Sequence, residues 1–323
     1  MGLKITQTAS YVPPRVVTND DLAEIMDTSD EWISSRTGIK QRHVSHGEQT
    51  SALAVKVAQS LLKKAAVDAD QIDFIIVATM SPDFLTPSTA AIVQGKIHAQ
   101  HALAFDLNSA CSGFIYALAV ADKLLAGPYH RGLVIGAEVL TKLVDWQDRS
   151  TAVLFGDGSG GVLVEKDAAT AGIIAEDLCA FGEQAAILTA GYQPTVSAFS
   201  QDDTDQHKHY LEMQGRDVYT FATHEVPSSI NRVLTQANWQ KDDVDWYLLH
   251  QANGRILTVI AKHLNEPVAK FLNNVARYGN TSAASVAILL DEFVTSGDIQ
   301  PGQKLILSGF GGGLTVASIA LIF

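Results

Sequence analysis

Short apolar, β-branched runs alternate along the 323-residue chain with longer stretches whose apolar positions recur every three to four residues, the pattern of an α/β protein. The runs predict strands at 74–78, 102–107, 133–136 and 161–165, then at 246–249, 304–308 and 316–323. The helical spacing predicts helices over 50–66, 88–98, 111–126, 217–237, 254–264 and 282–296. Between 197 and 209 the polar run SAFSQDDTDQHKH breaks the pattern and reads as an exposed insertion.

The pattern also repeats. DQIDFIIV at 70–77 reads against DDVDWYLL at 242–249, and RGLVIG at 131–136 against QKLILS at 303–308, both at an offset of 172 residues. One shared offset for two matches, each following a helix of similar length, predicts a duplicated architecture. The expected halves are 1–170 and 171–323, related by a pseudo-two-fold axis.

Composition narrows the function classes. With 47% hydrophobic and 18% charged residues the chain has ample core and is no disordered polymer. No apolar run reaches the length of a membrane span, and the N-terminus turns polar too early for a signal peptide. Two cysteines, Cys111 and Cys179, are too few for a disulfide framework or a zinc cage, and a reducing cytoplasm is the expected compartment. His207 and His209 have no further ligands beside them, so no metal is expected. A net charge of −12 argues against nucleic acid, and any acidic partner would need a local basic patch.

Candidate chemistry gathers at small-residue turns. FDLNSACSGF at 105–114 runs from a strand through a turn into a helix, placing Cys111 at a helix N-terminus. Unpaired N–H groups and the helix dipole are expected to lower its thiol pKa there. Cys179 lacks such a context and reads as structural. In the second half His250 directly follows the strand at 246–249, and Asn280 stands in the turn YGNTSAAS that opens a helix. Alone, each would be ordinary structure or a cap. Together with Cys111 they are three chemical groups at three turns where chain and substrate can crowd. FGGG at 310–313 offers backbone N–H groups for an oxyanion hole. It lacks the Lys-Ser/Thr pair of a P-loop and is followed by a strand.

As an ordered set, WISSRTGI at 32–39, ACSG at 110–113, LFGDG at 154–158, HQAN at 250–253, GNTSAA at 279–284 and FGGG at 310–313 resemble the β-ketoacyl-acyl-carrier-protein synthase III family of the thiolase-like superfamily. The resemblance covers essentially the whole chain. It implies a five-layered αβαβα fold, a homodimer, and initiation of fatty acid synthesis by condensing an acyl-CoA primer with malonyl-acyl carrier protein. It further implies Cys111 as nucleophile and acyl carrier, with His250 and Asn280 holding the malonyl thioester oxygen. The N–H groups of Cys111 and Gly312 would form the oxyanion hole, and no cofactor is needed. By the same resemblance Thr28, Trp32, Arg36, Arg149 and Asn253 bind CoA, while Gln251, Arg255, Lys262 and Arg216 dock the carrier protein. Thr220 stands where some relatives have a Lys. The loop 81–88 would reach across the dimer to close the acyl pocket through Phe84, Leu85 and Thr86. Thr86 in place of the usual Phe predicts acceptance of primers longer than acetyl.

Rival readings fail on named residues. A thiolase needs a second cysteine in the C-terminal glycine loop, and none follows Cys179. Elongating condensing enzymes use Cys-His-His, whereas the third position here is Asn280. Hydroxymethylglutaryl-CoA synthase needs a catalytic glutamate, and Glu138 reads as a structural carboxylate. A non-catalytic carrier-binding subunit would have lost Cys111. A specialised condensing paralogue making a polyketide or signal precursor is the remaining alternative.

Overall fold

The structure, a computed structural model, describes residues 2–167, 172–199 and 206–323. The predicted boundary near residue 170, the middle of the polar insertion and the side chain of His207 lie outside the described residues.

Two sheets carry the fold. The first contains β1 (Gly2–Tyr11), β2 (Phe74–Ala78), β3 (Leu103–Leu107), β4 (Arg131–Glu138) and β5 (Gly158–Asp167) in the order β1-β5-β4-β2-β3. The second contains β6 (Ile173–Ala180), β7 (Trp246–Leu249), β8 (Lys304–Gly311) and β9 (Thr315–Ile322) in the order β7-β8-β9-β6. Strands β2, β3 and β4 run parallel, as do β7 and β8; β5, β1, β9 and β6 join antiparallel. A single parallel bridge from Tyr247 to Phe271 stands where a fifth strand would continue the second sheet.

Strand alternation sorts the apolar residues into layers. Ile75, Val77, Leu133 and Ile135 face α1 (Thr50–Ala65) and α2 (Thr89–Ile97), packing on Val57, Leu61 and Val93. Their neighbours Phe74, Ile76 and Val134 face inward onto α3 (Gly113–Ala126) and α6 (Ala284–Ser296). Leu305, Leu307 and Ile319 of the second sheet close that central layer from the other side. Ile306, Val316 and Tyr247 point outward to α4 (Gly215–Ala237) and α5 (Gly254–Leu264), meeting Val226, Ile230 and Ile260. The result is the expected αβαβα sandwich. Strands buried on both faces explain why β2, β4, β7 and β8 read as continuous apolar runs.

The duplication extends into fine structure. Ala66 (φ 51°) and Asn238 (φ 53°) end α1 and α4 in the left-handed conformation at the 172-residue offset. Each is followed by a 3₁₀ turn closed by a capping box, Asp68 with Gln71 and Gln240 with Asp243. Asp73 then accepts from the N–H of Arg131, and Asp245 from that of Lys304, clamping the start of the neighbouring strand.

Two expectations need correction. The central helix of the first half starts at Gly113, because Ala110–Ser112 forms a 3₁₀ turn ahead of it. Similarly α6 starts at Ala284 rather than at 282. Both shifts lie in the small-residue turns that build the site. At the described ends of the polar insertion, the N–H groups of Gly191 and Tyr192 bond the carbonyls of His209 and Lys208. These ends extend a two-stranded ribbon, Leu188–Thr189 with Glu212–Met213. Among the described residues no helix is long and apolar enough to cross a membrane, and no cluster of three His, Cys, Asp or Glu side chains suits a metal ion.

Candidate active site

The two central helices begin where the two sheets end, and their entry turns face each other. The offset that relates the halves maps Ala110 onto Ser282, and both are left-handed non-glycine residues, at φ 44° and 47°. One turn presents Cys111, and the other follows Asn280. A cavity of about 520 Å³ opens between them, lined by Cys111, His250, Asn280 and Ser282 together with Phe310–Gly313. Met80, Leu154, Phe155, Leu188, Leu211 and Met213 make much of its remaining wall apolar.

Each polar group is held by local structure. Asn280 is fixed through its backbone: its N–H donates to the Leu154 carbonyl, and its carbonyl accepts from Gly156 N–H. Its Oδ1 accepts from Ser282 N–H at 2.8 Å. That leaves the Nδ2 hydrogens to be donated to the cavity. Within the same motif, Asp157 is buried and accepts from Ser45 N–H and from Thr141, so it is structural. His250 N–H bonds the Ser308 carbonyl at the end of β8. Its Nδ1 lies 2.7 Å from Ser285 Oγ, which itself accepts from Gln251 N–H at 3.5 Å. With the Ser285 hydroxyl hydrogen donated to Nδ1, Nε2 carries the ring proton. Burial drives the imidazole pKa down to about 3, so the ring is a neutral donor at physiological pH.

Cys111 departs from expectation. Burial pushes its thiol up to about 12, outweighing the help of Ser282 and the turn backbone. The resting nucleophile is a thiol, and the predicted low pKa at a helix end is not found. The wall behind it is made of glycine: a Cβ on Gly311 would stand 2.6 Å from Cys111 N, and one on Gly309 3.0 Å from Cys111 O. On the opposite side Gly136 gives room for the Asn280 turn, since a Cβ there would lie 2.4 Å from Ala283 O.

Further residues form the approach. Asn253 lines the cavity and donates to the Arg36 carbonyl at 3.1 Å, tying the rim to the helix Asp30–Thr37. On that helix Trp32 carries the Arg36 guanidinium over its ring at 4.6 Å and that of Arg149 at 5.1 Å. Thr28 Oγ1 is buried without a hydrogen-bond partner nearby in the chain. Arg216, Arg255 and Lys262 are exposed, Arg216 beside cavity-lining Gly215 and Arg255 beside Ile256. Arg255 and Lys262 share one face of α5, seven residues apart. Gln251 is a correction: it is 1% exposed, its amide bonding Leu249 O, Leu272 O and Asn274 N–H, so it braces the His250 loop and has no surface for docking. Phe84 (60% exposed), Leu85 (82%) and Thr86 do not line the cavity of their own chain. Ser282, which lines the cavity, and Ser285, bonded to His250 Nδ1, were missed as candidate site residues; Glu138 is buried and bonded by Thr79, Met80 and Ser81, in keeping with a structural carboxylate.

A buried thiol, two neutral N–H donors and a glycine wall, set in a five-layered αβαβα frame, define a thiolase-fold acyltransferase of the condensing type. Residues 105–182 match the family described as 3-oxoacyl-[acyl-carrier-protein (ACP)] synthase III, and residues 234–323 its C-terminal part. The chain is 54% identical over 319 residues to β-ketoacyl-[acyl-carrier-protein] synthase III of Streptococcus equi subsp. equi, covering 98% of both chains. The crystal structure of 3-oxoacyl-[acyl-carrier-protein] synthase III from Aquifex aeolicus VF5 superposes with a TM-score of 0.93 at 40% identity, covering 100% of both chains. A priming β-ketosynthase of the R1128 polyketide pathway superposes at 0.91 with 31% identity, over 99% of this chain and 96% of that one. The chain belongs to the β-ketoacyl-[acyl-carrier-protein] synthase III family.

Proposed function

We propose that this enzyme joins an acyl-CoA primer to malonyl-acyl carrier protein, giving 3-oxoacyl-carrier protein, CO2 and CoA. The observation that carries the reading is the meeting of Cys111, His250 and Asn280 in one cavity against a glycine wall. Cys111 attacks the primer thioester, and its oxyanion takes hydrogen bonds from the N–H groups of Cys111 and Gly312. Each such donor is worth roughly 3 kcal/mol in the transition state. CoA leaves, and the acyl group stays on sulfur. Malonyl-carrier protein then enters, and His250 Nε2–H with Asn280 Nδ2–H holds its thioester oxygen as CO2 departs. These donors suit a developing enolate because neither carries a charge that the substrate carboxylate would neutralise beforehand. The carbanion attacks the Cys111 thioester and frees the thiol. Neither half-reaction requires a cofactor.

Trp32, with Arg36 and Arg149 on its ring, offers a stacking site for the CoA adenine, and Thr28 Oγ1 an unused polar contact. Asn253 would meet the pantetheine arm at the rim. Arg216, Arg255 and Lys262 form the local basic patch that an acidic carrier protein requires of a chain with net charge −12. The halves 1–170 and 171–323 are read as one duplicated unit acting in the cytoplasm as a homodimer, in which Phe84, Leu85 and Thr86 close the partner's acyl pocket. With Thr86 the pocket extends beyond acetyl.

Intact-protein mass spectrometry after exposure to acetyl-, isobutyryl-, hexanoyl- and octanoyl-CoA tests both parts. Adducts on Cys111 that include the longer chains are expected. No adduct on any member of the panel sinks the mechanism, and acetyl alone sinks the Thr86 reading. Loading of a dedicated starter in preference to all four would favour the specialised paralogue.

A further inference from the structure

Asn280 is placed through its backbone, so whatever holds that backbone sets where its Nδ2 hydrogens point. Its N–H donates to Leu154 O at 2.9 Å, and its carbonyl accepts from Gly156 N–H at 3.0 Å. Behind this bridge lies Arg42, in the short antiparallel ribbon of Val16–Thr18 with Gln41–His43. Arg42 is wholly buried, a rare place for a guanidinium.

The guanidinium reaches in two directions. Its Nη2 donates to the Val153 carbonyl at 2.7 Å, one residue ahead of the carbonyl that receives Asn280 N–H. Its Nη1 donates to Asn19 Oδ1 at 2.8 Å and to the Val17 carbonyl at 3.4 Å. Asn19 is anchored in turn, its Nδ2 donating at 2.8 Å to both Ile39 O and Asp30 Oδ1. The stem of Arg42 packs where its head bonds. A Cβ on Gly156 would stand 3.0 Å from Arg42 Cβ and 2.4 Å from Tyr278 O. One on Gly279 would stand 3.4 Å from Arg42 Cβ and 2.9 Å from Leu154 O. Backbone bonds join the same parts: Asp157 N–H donates to His43 O at 2.8 Å, and Lys40 N–H to Ala276 O at 3.0 Å. The ribbon around Arg42 is therefore a floor under both turns that meet at Asn280.

The other two catalytic groups hang from different supports. The Cys111 turn is backed by Gly311, and its Ser112 Oγ lies 2.8 Å from Thr315 Oγ1. His250 is held by Ser308 O and Ser285 Oγ. None of these contacts involves Arg42. We propose that Arg42 is the positioning residue of Asn280. Acting through the 153–156 turn and the two glycines, it sets the distance of the Asn280 Nδ2 donor from the malonyl thioester oxygen. This role rests on the condensation proposed above. Asn280 serves only the malonyl half-reaction, so Arg42 governs that half and leaves acyl loading of Cys111 alone. Displacing a catalytic donor by about 1 Å costs on the order of 100-fold in rate.

The test measures both half-reactions of the full-length enzyme for wild type, R42M and R42K. Methionine keeps an unbranched stem and removes the donors, whereas lysine keeps a charged donor without the planar fork. Loading of Cys111 from acetyl-CoA is read by intact mass after rapid quench. Release of isotope-labelled CO2 from malonyl-carrier protein is read with enzyme acetylated beforehand. R42M should load at the wild-type rate and release CO2 roughly 100-fold more slowly, with kcat lowered and KM for malonyl-carrier protein unchanged. R42K should recover part of that loss. If R42M does not fold, R42K decides by the same split between the halves. Equal losses in loading and CO2 release, a raised KM with kcat intact, or wild-type rates in both halves overturn the positioning role. A wild-type enzyme that forms no Cys111 adduct, or releases no CO2, overturns the condensing reading and the role of Arg42 with it.

Discussion

At the scale of single residues, burial sets the chemistry. It holds Cys111 as a thiol and His250 as a neutral donor, and it raises Glu138 into the physiological range. The last shift has a consequence for stability. The folded protein binds the Glu138 proton more tightly than the unfolded chain, so this contribution is complete below about pH 4.5 and is lost as pH rises through about 7. E138Q has no such titration. Its melting temperature relative to wild type is expected to climb between those pH values, equivalent to up to about 3 kcal/mol; a flat difference across the range would refute the shift. Cys111, His250 and Asn280 were legible because each stands in a turn whose small residues and flanking strand or helix are visible locally. Ser282 was not, because the cavity that it lines exists only once both sheets have packed on α3 and α6. Ser285 was illegible for the same reason: the hydroxyl reads as one more small residue until His250 is placed against it.

At the scale of elements, the continuous apolar runs located the buried strands closely, and the 172-residue repeat pointed to two halves of like architecture. Helix starts were less readable. The spacing predicts a helix from Cys111, whereas Ala110 is left-handed, Gly311 approaches closely, and Ala110–Ser112 forms a 3₁₀ turn. The strand β4 shows how an element is fitted to the site. Gly136 leaves space for the Ala283 carbonyl, and any side chain would push the Asn280 turn away from the sheet. G136A is expected to lose about 1–3 kcal/mol of stability by overpacking and most of its condensing activity. Thermal melting and turnover with malonyl-carrier protein check this, and a variant with wild-type values in both would refute it.

At the scale of the molecule, the first sheet ends in β3, a strand with an unpaired edge and Leu103 41% exposed. Such edges are normally covered. The loop carrying Phe84 and Leu85 is also exposed in the single chain. Both features fit the proposed homodimer, and L85D is expected to shift the mass in light scattering from two chains toward one and to slow primer loading. Two-chain mass with normal loading would remove the loop from the interface. Charge acts at this scale too: on a chain of net charge −12, the exposed Arg216 and Arg255, each next in sequence to a cavity-lining residue, are the groups through which the proposed docking of an acidic carrier would be steered.

The glycine wall behind Cys111 bears on drug resistance. A compound resting against Gly311 touches main-chain atoms alone there. Mutation has no side chain there to alter, and a new one would collide with the backbone of Cys111 itself. Escape variants are then expected among the side chains of the remaining wall, Met80, Leu188, Leu211 and Met213 among them. If the proposed primer occupies this cavity, resistance to such a compound carries a change in which acyl groups the site accepts.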